Sequence, residues 1–81
     1  MISDPAGAAL VREVARRVRL HRLVRRLTQQ DLADRAGLSR SFISLFEKGE
    51  HGIDIVALAR IAGALEVPLS ELVTEPAAGD S

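Results

Sequence analysis

Apolar residues recur at helical spacing along the whole chain, and no stretch alternates apolar and polar positions as a half-buried strand would. The pattern predicts an all-α domain, a compact bundle of five helices. Helix 1 begins at Asp4, a capping residue, with Pro5 at the first helical position, and runs to about Arg25. Leu10, Val11, Val14 and Val18 share one stripe of it, while Leu20, Leu23, Val24 and Leu27 lie on a different side. One straight helix would then carry two apolar faces. Either it breaks or its burial rotates, or part of it packs on a second chain.

Helix 2 is the segment TQQDLADRAG. Thr28 is its N-cap, Asp31 stands at capping-box distance, and Gly37 supplies a left-handed exit. Leu32, Ala33 and Ala36 point inward. Helix 3 starts at the cap Ser39 and ends before Gly49. Helix 4 starts at Asp54, with Ile53 and Leu58 placed as a hydrophobic staple and Ile55, Leu58, Ile61, Ala62 and Leu65 as its core stripe. Helix 5 is the short PLSELV. Residues 5–73 make the domain, and residues 1–4 and 74–81 are expected to be flexible tails.

Two faces have no obvious use in a single core. On helix 3, Ile43 and Phe46 fit a buried stripe, yet Arg40, Ser41, Ser44 and Lys48 form a polar stripe opposite, with Leu45 at its edge. On helix 4, the side carrying Val56, Ala59 and Gly63 is apolar as well, and a helix apolar nearly all round is usually covered on both sides. A dimer interface would cover it. Val56, Leu69, Leu72 and Val73 are its candidates, with helix 1 as a rival.

Composition changes the picture in three ways. At 81 residues the chain makes one domain with a limited core, the size at which dimerisation often adds stability. There is no cysteine, which excludes disulfides and thiolate metal sites. No basic-then-apolar leader and no membrane-length apolar run occur, so the expectation is a cytoplasmic protein without a membrane partner. The net charge is zero but unevenly placed. Residues 1–48 carry ten Lys or Arg against five Asp or Glu, and residues 49–81 carry one against six. A polyanion responds to the local field, not to the sum. Enzyme chemistry finds little to work with. There is no glycine-rich phosphate loop, the two histidines lack Cys or carboxylate at metal-ligand spacing, and no serine sits in a nucleophile-elbow context. No catalytic, metal or cofactor site is expected.

Helix 2, the three residues Gly37-Leu38-Ser39 and helix 3 have the make-up of a helix-turn-helix. The steep turn needs a residue tolerant of positive φ, close helix contact needs a small residue such as Ala33, and the second helix needs an inward apolar residue such as Ile43. The wider stretch LTQQDLADRAGLSRSFISLFEKGE resembles the Cro and lambda-repressor family, also called the XRE family. The likeness rests on Thr28-Gln29, Leu32-Ala33, Gly37, Ser39, Ile43 and Glu47-Lys48-Gly49, and spans roughly residues 14 to 73.

The resemblance implies a lambda-repressor-like domain that binds double-stranded DNA as a homodimer, on an inverted-repeat operator, with helix 3 in the major groove. By position in the family motif, Arg40, Ser41, Ser44 and Leu45 would read bases. An Arg fork on guanine is worth about 1–3 kcal/mol of discrimination. Thr28, Gln29, Ser39, Lys48 and His51 would meet phosphates, which set register rather than sequence. Arg22 and Glu47 would form a structural ion pair locking helix 3 to helix 1. The family's usual Gly before LTQ is Arg26 here, His21 takes an apolar position, and helix 1 is about two turns longer at its start. A transcriptional regulator, a repressor, is the implied role. The alternative is an antitoxin or restriction–modification controller with a protein partner.

Overall fold

Each of four α-helices begins where a side chain can take up a free backbone N–H. The computed structural model describes residues 4–73, in the order α1 (Pro5–Val24), α2 (Gln29–Ala36), α3 (Arg40–Glu47), α4 (Ile55–Leu65) and a 3-10 turn (Leu69–Glu71). Asp4 accepts from Gly7 at 2.7 Å, Ser39 from Phe42 at 3.0 Å and Asp54 from Ala57 at 2.8 Å. Thr28 and Asp31 close a full capping box, each backbone N–H donating to the other's side chain at 2.9 Å. The expected tails, apart from Asp4, lie outside the described residues.

The fifth helix is a correction. After Pro68 the chain makes only the single turn Leu69–Glu71, with no side-chain cap. Six residues lack the length to repay helix nucleation. Leu72 follows that turn into the core and is fully buried in its own protomer. It is therefore unable to form part of a dimer surface, which corrects its expected place there.

One core runs through the domain. Val14, Ala15 and Val18 of α1 meet Leu32 and Ala33 of α2, Ile43 and Phe46 of α3, and Leu58, Ile61 and Leu65 of α4. Each large side chain taken fully from water contributes about 1.5–3 kcal/mol. Helix 1 is unbroken, so its two apolar faces part company. Leu10 and Val11 pack on the core edge, whereas Leu20, Leu23 and Val24 stay exposed. The chain reverses only at Arg26, with φ +56°, and Leu27 then returns to the core. Ile55 is a second correction. It shares a stripe with Leu58, but as the first residue of α4 it overhangs the core and is 63% exposed.

Candidate nucleic-acid interface

The turn between α2 and α3 sets the outward face of α3. Gly37 takes φ +70°, the left-handed region open to glycine, and Leu38 N–H closes back onto Ala33 carbonyl at 2.9 Å. Ala33 and Ile43 are wholly buried where the helices meet. With Ile43 and Phe46 pinned inward, the helical period turns Arg40, Ser41, Ser44 and Leu45 out. Arg40 and Ser41 are exposed, Ser44 is half-buried, and Leu45 is 41% exposed. Among the described residues, no side-chain hydrogen bond or ion pair engages Arg40, Ser41 or Ser44. Their donors are free for a ligand.

Behind this face stands a buried polar joint. Arg22 Nε donates to Glu47 Oε2 at 2.7 Å and Nη2 to Oε1 at 2.9 Å, a bidentate pair with both side chains almost dry. The third arm, Nη1, donates to the Leu27 carbonyl at 2.8 Å. Gln29 Nε2 reaches Glu47 Oε1 at 3.2 Å. One carboxylate thus ties the end of α3 to α1 and to the first residue of α2. It is neutralised from within, which removes a charge that would repel a polyanion.

The other phosphate candidates are placed unequally. Thr28 and Ser39 are occupied as caps, leaving each hydroxyl's own proton to donate. Gln29 has already committed an amide proton to Glu47. Lys48 is exposed and has no ion-pair partner among the described residues. His51 lies against Phe42, ring centroids 5.1 Å apart, and its Nδ1 donates to the Gly52 carbonyl at 2.8 Å. Only a doubly protonated ring could give a second N–H to a phosphate.

On α4 and the segment after it, Val56 and Val73 are exposed and Leu69 is half-buried. Sequence reasoning missed Ile55 there. It lines an apolar groove of about 280 Å³ with Val73, Leu10, Val11 and Ile53. Arg12, Arg16 and Arg19 stand on one side of α1, at spacings of four and three residues, and line a cleft with Lys48. No described helix is long and apolar enough to cross a membrane.

A family model described as helix-turn-helix matches residues 18–72. The immunity repressor of Bacillus phage phi105 is 37% identical over 62 residues, covering 76% of this chain and 43% of the repressor, so the chain spans under half of that relative. Among solved structures, the restriction-modification controller protein C.AhdI from Aeromonas hydrophila superposes with a TM-score of 0.75 at 31% identity, covering 76% of this chain and 94% of the controller. A hypothetical transcription factor, NHTF, from Neisseria gives 0.79 at 28% identity, covering 94% of this chain and 87% of that one.

Proposed function

The chain belongs to the XRE-type helix-turn-helix family of transcriptional regulators, and on that premise we propose that it is a repressor that binds double-stranded DNA as a homodimer. α3 enters the major groove of each half of an inverted-repeat operator. The observation that carries this reading is the pair of faces on α3. Ile43 and Phe46 are locked inside, while the side chains of Arg40, Ser41 and Ser44 have no described partner to give up on binding. Arg40 reads guanine, Ser41 and Ser44 donate or accept, and Leu45 meets a thymine methyl. Gln29, Thr28, Ser39, Lys48 and His51 contact phosphates.

The dimer forms through the exposed outer side of α4 and the last turn, with Ile55, Val56, Leu69 and Val73 in contact. A protomer 36 Å in its longest dimension suits two copies of α3 spaced one helical turn, about 34 Å, apart. Selection of bound fragments from a random duplex pool tests the whole reading. The expected product is an inverted repeat with half-sites about 10 base pairs apart. Recovery of no common sequence would remove the function. A lone half-site would remove the dimer. A controller role in restriction–modification is the second reading, favoured by the match to nearly the full length of C.AhdI.

A further inference from the structure

Beside the reading helix lies a basic cleft of which the contacts above use only Lys48. Arg12, Arg16 and Arg19 stand on one side of α1, and Glu47, Lys48 and Gly49 at the end of α3 face them across a cleft of about 250 Å³ with Ala15 in its wall. Glu47 brings no net charge, because Arg22 pairs with its carboxylate and Gln29 donates to it as well. Arg16 shares Glu13 with Arg17, at 2.6 and 2.8 Å. Arg12, Arg19 and Lys48 have no ion-pair partner among the described residues. Like charges at this spacing weaken a helix, so helix stability gives no reason for Arg12 and Arg19, which lack the Glu13 pairing of Arg16.

The cleft is also shaped. Gly49 adopts φ +74°, and a Cβ there would lie 3.1 Å from Arg12 Cγ. The bare glycine lets the Arg12 stem lie against the chain leaving α3, which seats the long side chain at the cleft's edge. Lys48 in the cleft follows Ser44 of the reading face by one helical turn, so the cleft adjoins that face at the end of α3.

We propose that the cleft between α1 and the end of α3 binds a backbone phosphate of duplex DNA, with Arg12 and Arg19 donating beside Lys48. It extends the contact beyond the groove segment that α3 reads. The proposal rests on the DNA-binding reading above. Its test is the salt dependence of binding to the selected operator and to a random duplex of equal length, for the full chain, the double variant R12Q/R19Q and the charge-conserving R12K/R19K. Each phosphate contact contributes about 0.9 to the slope of log affinity against log salt. R12Q/R19Q is expected to bind both duplexes several-fold more weakly, to keep their ratio, and to lose up to about one unit of slope per protomer. R12K/R19K keeps most of the slope, which separates charge from fold, and thermal melts establish that each variant is folded. Unchanged affinity and slope in R12Q/R19Q would overturn the proposal and leave the DNA reading intact. A changed ratio of operator to random duplex would overturn it in favour of base reading. Thermal stabilisation by millimolar inorganic phosphate at fixed ionic strength, with equal DNA slopes for all variants, would assign the cleft to the free anion instead. Failure of the unaltered chain to bind any duplex would remove both readings.

Discussion

Arg22 is the residue on which the interface is hung. Its guanidinium spends donors on Glu47 and on the Leu27 carbonyl, in surroundings that exclude water from both charges. Removing either partner leaves a charge stranded. Arg22→Ala or Glu47→Ala is therefore expected to lower stability by about 3–5 kcal/mol in denaturant unfolding. A volume-matched apolar pair, Arg22→Met with Glu47→Leu, should recover a large part, since exchanging a buried ion pair for packed apolar groups is often neutral. Additive losses in the double variant would contradict direct coupling. Arg26 is a simpler case. A non-glycine residue held at φ +56° carries about 1–2 kcal/mol of strain, against which glycine adds about 0.5–1 kcal/mol of unfolded-state entropy. Arg26→Gly should raise the melting temperature by a few degrees, as a net gain of up to about 1.5 kcal/mol would. No rise would mean that the arginine makes up its strain elsewhere.

Among the elements, starts were more legible than ends or partners. Asp4, Thr28, Ser39 and Asp54 all cap as their spacing predicts, because a cap is a bond between residues three apart and needs no knowledge of the fold. The capping box also carries a pH dependence. The Thr28 backbone N–H, and then its hydroxyl, hold the Asp31 carboxyl below its ordinary range. The hydrogen bond from Arg16 does the same for Glu13. Both groups are lower in the folded state, so their stabilisation is complete above the unfolded carboxylate value, near pH 4, and is lost as pH falls through the folded value. Asp31→Asn should therefore melt lower at neutral pH and lose less than the unaltered chain on acidification to about pH 3. The fifth helix, by contrast, was misread. Its apolar spacing is genuine, since Leu69 and Leu72 both face the core, but spacing alone does not distinguish one 3-10 turn from a short α-helix. Ile55 and the Leu20–Leu23–Val24 face show the other limit. A stripe tells which side is apolar, and only the tertiary fold tells where the core stops.

At the scale of the whole molecule, the arginines and the apolar surface of α4 come from different halves of the chain, while Leu20, Leu23, Val24 and Leu45 add exposed apolar surface to the basic half. The arginines of α1 and α3 lie in the first half of the chain, and Ile55, Val56 and Val73 in the acidic second half. On the proposed reading, one surface meets a polyanion while the α4 surface meets a second copy. Val56→Glu is expected to shift a dimer to monomer in light scattering and to weaken operator binding far more than binding to a single half-site. Equal losses on both would argue against dimerisation through α4. The helix-turn-helix and the outward side of α3 were readable because they depend on a glycine, a small residue and helical period within about 20 residues. The α1 cleft was not, because Arg12 and Gly49 meet only after the chain has folded back.

The full burial of Leu72 sets a lower bound on any shortened version of this protein. A fragment cut after Ser70 loses the stopper that closes the far end of the hydrophobic interior, a vacancy of the kind that costs about 2–5 kcal/mol when a leucine is trimmed to alanine. A fragment cut after Val73 keeps that stopper in its seat.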